Sequence, residues 1–362
     1  MECICYLNIQ KRGDFMEHIL SLSYGKDSLA CLGAIEKLGL PLDRIIHAEV
    51  WATETIPADL PPMMEFKKKA DAIIKERWGI EVEHICATRK INSQTVNVER
   101  EREREQLRCV KTYEDCFYSP HNYTTPKLPF KERNGIYGFP CPIGSWCNSR
   151  LKVGVLDGFA RGRFDLRKVF LSENGELQET PTEHRENIRI SDSERKLVYE
   201  RTQTQKQLFL KCPTAQGARK NIVQYLGIAC DEPKRIERHI KKKGIVLPLV
   251  EAKWDEAYCR KWCEENDLLS PIYTSSARGG CWFCHNQDID SLRRLRHNYP
   301  DLWELLLKWD LDSPTSFHPD GHTVHDFDKR FELEDKGIVP IKKFRWSMLK
   351  DNEEQITFFD EF

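Results

Sequence analysis

The sequence predicts an α/β fold built on an open, five-stranded parallel sheet flanked by helices. Its five strand-like runs are short, apolar and nearly continuous, as expected for strands buried on both faces of a sheet. Helical patterns separate these runs, and such alternation produces parallel strands joined by right-handed crossovers. The predicted strands are residues 18–23, 44–50, 82–87, 222–229 and 245–250.

Two amphipathic helices connect the first three predicted strands. In the first, residues 28–38, the side chains of Leu29, Leu32 and Ile35 fall on one apolar stripe, and Gly39 is placed to cap the C-terminal end. The second helix covers residues 63–78 and leads into the third strand. Each helix therefore has an apolar face to pack against the sheet.

A long interruption, about residues 88–220, separates the third and fourth strands. Its Glu/Arg segment 99–105 predicts a solvated helix, because opposite charges pair three positions apart. Asn174 and Gly175 predict a hairpin turn, and the polar stretch 179–207 predicts a mobile insertion. We expect an α/β domain at 1–270, with insertions at about 90–138 and 155–218, followed by a small helical lobe at 271–362 that carries a Cys cluster.

Composition sets the broad class of the protein. The 362 residues are 40% hydrophobic, which is ample for one large α/β domain or two smaller ones. Lys and Arg number 56 against 57 Asp and Glu, which argues against a strongly basic nucleic-acid binder. The mean hydropathy is -0.60, and no stretch approaches the ~18–20 apolar residues of a membrane span. Because the N-terminal segment also lacks signal-peptide features, we expect a soluble, cytoplasmic protein without membrane partners.

The sharpest motif is a short loop that follows the first strand and opens the first helix, Ser23-Tyr24-Gly25-Lys26-Asp27-Ser28. A small-residue turn at a helix N-terminus directs free N–H groups and the positive end of the helix dipole toward one point, which suits a phosphate. The serine hydroxyls and the Lys26 ammonium add donors and charge. A carboxylate such as Asp27 would repel a phosphate, so its presence here indicates that it orients Mg²⁺ or the loop itself. The alternative is an ordinary helix start that Asp27 caps.

This loop resembles the PP-loop of the adenine-nucleotide α-hydrolase superfamily, whose pattern is Ser-Gly-Gly-x-Asp-Ser. Tyr24 stands where that pattern has its first glycine, and a side chain there would narrow the phosphate site or disfavour a positive φ. The resemblance implies a Rossmann-type sheet in which strands one and four are neighbours, with the ligand crevice between them. It also implies that the loop binds the phosphates of an adenine nucleotide.

Within this superfamily, the phosphoadenylylsulfate (PAPS) reductase-like family is the most similar, in pieces of residues 15–87 and 139–310. Segment 226–235 resembles the family's segment at the mouth of the site, and segment 146–152 resembles its Cys-Cys-x-x-x-Lys segment. The resemblance implies that Val50 and Trp51, at the end of strand two, hold adenine.

The same resemblance implies further contacts near the α-phosphate or the acceptor. The residues concerned are Gly227, Glu232, Arg235, Arg150 and Lys152. Arg150 and Lys152 equally fit a solvated helix face. The implied catalytic residues are Lys26, Asp27, Glu232 and Arg235.

Two cysteine pairs, far apart in sequence, lie in loops rich in Gly and Pro: Cys141 with Cys147, and Cys281 with Cys284. Loops let four sulfur atoms converge, and four thiolates bind either tetrahedral Zn²⁺ or an iron–sulfur cluster. The alternatives are four separate core thiols and a redox disulfide between Cys281 and Cys284. Adenylylsulfate reductases, which the chain resembles at three of these positions, bind a [4Fe–4S] cluster. The resemblance thus implies that cluster, with Cys141 as the fourth ligand because Trp146 occupies the usual position, and Zn²⁺ is the second choice.

The resemblance also bears on the reaction. Reductases of this family attack sulfate with a thiolate near the C-terminus, but no cysteine follows Cys284. The Lys26-Asp27-Ser28 segment is similar to that of members that use Mg²⁺ to convert ATP to AMP and pyrophosphate. We therefore expect an ATP pyrophosphatase that activates an unidentified acceptor, with sulfur transfer through the cluster as a further expectation.

Two other functions stay open. One is a PAPS or adenylylsulfate reductase that releases sulfite and uses another thiol, such as Cys230 or Cys259. The other is a non-catalytic nucleotide-sensing or DNA-modification and defence factor. In that case the lysine runs 67–69 and 241–243 would contact nucleic acid, although such runs are typical of solvated helix faces.

A histidine group near the C-terminus is a weaker metal candidate. His318, His322 and His325 lie within eight positions of one another, around Asp320 and Gly321. A hairpin at Asp320–Gly321 with solvent-facing histidines is the simpler explanation.

Overall fold

The computed structural model describes residues 16–90, 106–121, 135–141, 146–160, 165–171, 177–179, 208–212, 221–275 and 280–351. The predicted helix at 99–105 and residues 180–207 of the predicted mobile insertion lie outside these ranges. By its contacts the chain divides into two compact units, Met1–Glu114 with Cys147–Cys281, and Asp115–Trp146 with Trp282–Phe362.

The strands of the first unit form two sheets. In chain order they are β1 (Glu17–Ser21), β2 (Arg44–Glu49), β3 (Val82–Cys86), β4 (Thr88–Lys90), β5 (Gln106–Val110), β6 (Asp165–Leu171), β7 (Leu177–Glu179), β8 (Leu208–Cys212), β9 (Ile222–Tyr225) and β10 (Ile245–Val246). The first sheet is parallel throughout and has the order β10-β9-β1-β2-β3. The predicted five-stranded parallel sheet is confirmed, and strands one and four are neighbours, with Ile19 opposite Gln224.

All five strands of this sheet end earlier than predicted, and β9 and β10 do so by four residues each. β10 stops at Val246 because a helix begins at Pro248, whose ring nitrogen has no hydrogen to donate to a ladder. β9 stops at Tyr225, and the chain then brings Gly227 against the start of the first helix. The carboxyl ends of β1 and β9 therefore face one edge of the sheet, beside the point where the strand order reverses.

The helices cover most of the remaining described chain. They are α1 (Lys26–Leu38), α2 (Pro61–Trp78), α3 (Tyr113–Phe117), α4 (Trp146–Asn148), α5 (Gly154–Ala160), α6 (Pro233–His239), α7 (Pro248–Glu251), α8 (Glu256–Glu265), α9 (Ile272–Ser275), α10 (Ile289–Asn298), α11 (Pro300–Asp312), α12 (Val324–Asp335) and α13 (Ser347–Asp351), with a π-helix (Ser149–Val153) between α4 and α5. None of these helices is long and apolar enough to cross a membrane.

The two predicted helices, α1 and α2, are confirmed. The packing of α1 shows why its sequence forms a helix here. Leu29 and Leu32 are fully buried in the core of the first unit, and Gly39 ends α1 with a φ of 62°. Gly33 lies against the indole of Trp262, where a Cβ would come within 2.4 Å of the ring. A glycine is therefore needed for α8 to pack this closely on α1.

The second sheet was not predicted. It has the order β4-β5-β8-β6-β7, and its neighbouring strands are antiparallel. Its strands come from the long interruption between the third and fourth strands of the parallel sheet. β6 and β7 pair antiparallel with Leu171 opposite Leu177, as the predicted hairpin requires, and the turn residues Asn174 and Gly175 lie outside the described residues.

The second unit is helical in its described C-terminal part and includes α10, α11, α12 and α13. Its core is aromatic: the Trp282 and Trp309 rings stack with centroids 5.8 Å apart, and Phe117 and Phe139 pack edge to face at 5.3 Å. Such rings bury large apolar areas, so they are expected to dominate the stability of this unit.

Candidate functional site

The loop between β1 and α1 is held together by its own serines. The Ser23 N–H donates to Ser28 Oγ at 3.1 Å, and the Ser23 hydroxyl donates to the same atom at 3.0 Å. The Ser28 hydroxyl donates to the Gly25 carbonyl oxygen at 3.0 Å. Gly25 is the N-cap residue of α1 and makes no side-chain cap. The alternative that Asp27 caps the helix is therefore wrong.

Tyr24 adopts the left-handed conformation that favours glycine, with a φ of 56°. Its side chain turns into the core and is fully buried. The hydroxyl donates to Asp71 Oδ1 and lies 3.0 Å from His84 Nε2. Burial, and then the hydrogen bond to Asp71, raise the pKa of Tyr24. The tyrosine thus holds the loop in a conformation that a non-glycine residue rarely adopts.

His84 connects this anchor to two carboxylates. Its Nδ1 lies 2.8 Å from Glu49 Oε1 and its Nε2 lies 2.8 Å from Asp71 Oδ2. Burial lowers the pKa of His84, but the hydrogen bonds to Asp71 and Glu49 outweigh it and raise the pKa to about 9. At neutral pH the ring is therefore an imidazolium held between two carboxylates.

Lys26 and Asp27 form an ion pair at the start of α1. The Lys26 ammonium lies 2.9 Å from Asp27 Oδ1 and 3.0 Å from Glu256 Oε2 at the start of α8. Burial raises the pKa of Asp27, and the Lys26 charge opposes that effect. For Lys26, burial lowers the pKa, but the bonds to Asp27 and Glu256 prevail and raise it. Glu256 was not predicted, because nothing in the local sequence places it beside this loop.

Tyr273 also reaches the loop. The Lys26 N–H donates to the Tyr273 hydroxyl oxygen at 3.0 Å. A Cβ at Gly25 would come within 3.3 Å of the same oxygen, so glycine leaves room for this approach. Burial raises the pKa of Tyr273, which therefore keeps its proton at neutral pH. Tyr273 follows the last predicted strand by more than twenty positions, and the sequence carries no signal for it.

A pocket of about 200 Å³ lies beside this loop. Six of the predicted site residues line it: Ser23, Tyr24, Gly25, Val50, Lys152 and Cys281. Five polar residues that were not predicted also line it: His47, Asp59, Lys67, Ser270 and Tyr273. The rest of the wall is mainly apolar, as is usual for a small-molecule site.

Lys67 contradicts the view that lysines 67–69 form one solvated face. It is only 5% exposed, and its ammonium lies 2.7 Å from His47 Nε2. Burial and the Lys67 charge hold the pKa of His47 well below its usual value, so this ring is neutral. The signal was present in the sequence: Lys67 lies four positions after Met63 and seven before Ile74, on the buried stripe of α2.

Gly227 brings the segment after β9 against the loop. A Cβ at this position would lie 2.6 Å from Ser28 Cα and 2.7 Å from the Asp27 carbonyl oxygen, so only glycine fits. Glu232 and Arg235, further along, form an ion pair at 2.7 Å. The Glu232 charge contributes to the raised pKa of Asp27, which places the two carboxylates within electrostatic range.

Eleven of the predicted residues do not line the pocket. They are Lys26, Asp27, Ser28, Trp51, Arg150, Gly227, Glu232, Arg235, Cys141, Cys147 and Cys284. Trp51 packs instead on Cys86 and Val110, and its Nε1 is buried without a hydrogen-bond partner among the described residues. Arg150 and Lys152 share the π-helix Ser149–Val153, but only Lys152 contributes to the pocket wall.

The four predicted metal-binding cysteines belong to both units. Cys147 and Cys281 lie in the first, and Cys141 and Cys284 lie in the second. Within the described ranges, no three His, Cys, Asp or Glu side chains form a group that could hold a metal ion. The four-thiolate site stays a prediction.

The C-terminal histidines have protein partners. His318 Nδ1 lies 2.7 Å from Asp320 and His325 Nδ1 lies 2.5 Å from Asp310. The His322 ring stacks on Trp346 at 3.5 Å. The backbone turns between them, because the His318 N–H donates to the His322 carbonyl oxygen at 3.0 Å. The turn at Asp320–Gly321 is as predicted, but His318 and His322 are only partly exposed rather than solvent-facing.

Comparison of the chain with models of protein families, with curated proteins and with solved structures gave no match.

Proposed function

We propose that this protein is an ATP pyrophosphatase of the PP-loop type, which converts ATP to AMP and pyrophosphate and thereby activates an acceptor. The observation that carries the proposal is the position of the loop Ser23–Ser28. It joins the carboxyl end of β1 to a helix of 13 residues, beside the neighbouring strand β9. Open α/β sheets bind nucleotides at such a switch in strand order.

The loop has the donors that phosphates need. Backbone N–H groups at the start of α1 and the positive end of the helix dipole attract an anion. The Lys26 ammonium adds a full charge, and it is now shared between Asp27 and the half-exposed Glu256. A triphosphate binds here by drawing Lys26 away from Glu256. Asp27 is the residue that would hold the magnesium ion accompanying the substrate, and that ion would offset the charge of the phosphates.

Catalysis follows from charge. An oxygen of the acceptor attacks the α-phosphorus and forms an adenylate as the bond to the β-phosphate breaks, and AMP leaves when the adenylate reacts further. Lys26 with the N–H groups of α1 stabilises the negative charge on the leaving pyrophosphate. Arg235 lies in an ion pair with Glu232 at 2.7 Å, so it supplies positive charge only if a ligand separates the two. No step depends on the four cysteines.

The thiols support ATP over a sulfated nucleotide. A reductase needs a thiolate as its nucleophile. Burial raises the pKa of Cys259, and the Asp27 charge raises it further. Cys230 also has a raised pKa, from its partial burial and from Asp231. At both cysteines considered for a reductase, the raised pKa favours the protonated thiol, which is less nucleophilic than the thiolate.

Calorimetric titration of the purified full chain with Mg·ATP, PAPS and adenylylsulfate tests the proposal. We expect Mg·ATP to bind most tightly and pyrophosphate to be released when the acceptor is present. Asp27→Ala should abolish turnover and leave the melting temperature nearly unchanged. Glu81→Ala, which removes an exposed ion-paired carboxylate, is the control and should bind as wild type. Preference for a sulfated nucleotide would support the reductase instead.

A further inference from the structure

One wall of the pocket carries a buried ionic group that the proposed phosphate chemistry does not use. Lys67, on α2, lies 2.5 Å from Asp59 Oδ2 and 2.7 Å from His47 Nε2. Lys67 and His47 are 5% and 6% exposed, and all three side chains line the pocket. Buried charges are costly to desolvate, so one that faces a pocket suggests a role in binding.

The hydrogen bonds of this group are incomplete. His47 Nδ1 lies 2.8 Å from the Leu22 carbonyl oxygen and donates to it, so Nε2 is the acceptor for Lys67. An ammonium has three N–H donors, and two of those of Lys67 are used by His47 and Asp59. Among the described residues the third has no recorded acceptor, and the centroid of the Tyr24 ring lies 5.2 Å from Nζ. Asp59 Oδ1 likewise has no donor in the described part of the chain.

The third N–H of Lys67 and Asp59 Oδ1 thus form an adjacent donor and acceptor on the wall of a largely apolar pocket. They match a ligand whose edge presents an acceptor next to a donor. Met63, Leu156 and Ile272 supply apolar wall that suits a flat ring. The polar pair matches the edge of a nucleobase that presents an acceptor next to an N–H. Adenine does so with its ring N1 and its 6-amino group.

We propose that the Lys67–Asp59 pair reads the adenine base of the bound nucleotide. Lys67 donates to N1, and Asp59 Oδ1 accepts from the 6-amino group. His47 acts as a positioning residue, because its neutral Nε2 holds one of the Lys67 protons and so directs another toward the ligand. The inference rests on the proposed function, since it takes the phosphates of the same nucleotide to lie on the loop Ser23–Ser28.

The first test needs no variant. The wild-type full chain is titrated with Mg·ATP, with the triphosphate of purine riboside, which lacks the 6-amino group, and with inorganic tripolyphosphate. We expect ATP to bind about tenfold or more tightly than the purine riboside compound, as for loss of a hydrogen bond to a charged group. Equal affinities for the two nucleotides would overturn the inference.

Variants of Lys67 and Asp59 test whether this pair is the source of the preference for ATP. Lys67→Met should weaken ATP binding about tenfold or more and leave tripolyphosphate binding unchanged, which also shows that the variant is folded. Lys75→Met is the matched control, because Lys75 lies on the same helix and also has a carboxylate partner, Glu81, at the surface. Asp59→Ala should bind ATP and the purine riboside compound equally. A loss of ATP affinity in Lys75→Met as large as in Lys67→Met would overturn the assignment.

The outcomes separate this inference from the function on which it rests. If ATP and tripolyphosphate bind but the 6-amino group has no effect, only the base-reading role fails. If adenosine binds as well as ATP and tripolyphosphate does not bind, the phosphate role of the loop fails while base reading stands. If neither ATP nor adenosine binds, both are wrong.

Discussion

The backbone N–H of Lys26 donates a hydrogen bond of 3.0 Å to the hydroxyl of Tyr273, which lies 247 positions later in the chain. This N–H belongs to the first turn of α1, where four such donors lack partners within the helix. The tyrosine oxygen therefore occupies one of the donors that a phosphate oxygen would use. It stabilises the loop, and we expect it to compete with the proposed phosphate ligand.

Tyr273→Phe should separate these two effects. Loss of the hydroxyl removes one hydrogen bond, so we expect the free energy of unfolding to fall by about 1 kcal/mol. Tripolyphosphate should bind as tightly as to wild type or more tightly, because the Lys26 N–H becomes available. Urea unfolding and calorimetry measure the two quantities. A clear loss of tripolyphosphate affinity would show that the hydroxyl itself contacts the anion.

Glu256→Gln should strengthen phosphate binding. The carboxylate of Glu256 lies 3.0 Å from the Lys26 ammonium, and neutralising it leaves that ammonium freer to meet a phosphate. We expect about two- to fivefold tighter binding of tripolyphosphate at low salt, since exposed ion pairs are worth little. The gain should shrink as salt is added.

Glu264→Gln is the control for this change. It lies on the same helix, is half exposed and also has an ion-pair partner, Arg260 at 3.0 Å. It should leave tripolyphosphate affinity unchanged. Equal gains in both variants would mean that the overall charge, and not the contact with Lys26, is responsible.

Tyr24→Phe tests the buried anchor of the loop. The variant keeps the ring but removes the hydroxyl that bonds Asp71 and His84. A partly buried carboxylate and imidazolium then lose a partner, so we expect a loss of about 1–3 kcal/mol in the free energy of unfolding. Tyr258→Phe, at a side chain that is 46% exposed, should change stability little. Similar losses in both variants would contradict the anchoring role.

His84 should make stability depend on alkaline pH. Its folded-state pKa is about 9 against the ordinary 6.5, so the charged ring stabilises the fold. That contribution is complete below about pH 6.5 and is lost as pH rises through 9, with an upper limit on the order of 3 kcal/mol. Urea unfolding of wild type from pH 6 to 10 should show this decline. In His84→Asn the decline should be smaller, and equal slopes in both proteins would exclude His84 as its source.

The described elements of the parallel sheet could be predicted because their signals are local. Apolar runs such as 44–50 and the stripe of Leu29, Leu32 and Ile35 follow from the periods of strand and helix. The loop Ser23–Ser28 could be found for the same reason, since its six residues are contiguous. Apart from the β6–β7 hairpin, the antiparallel sheet was missed because β8 pairs with β5 and β6 across long gaps in the sequence, so no local pattern specifies these partners.

The sequence by itself determined the class of the fold, the order of its first three strands with their helices, and the loop at the start of α1. Only the tertiary structure decided what surrounds that loop. Tyr273, Glu256 and Lys67 reach the loop or its pocket from three different helices. The physical reason is that helix and strand periods express local chain geometry, whereas a binding site is made by side chains that packing brings together from distant positions.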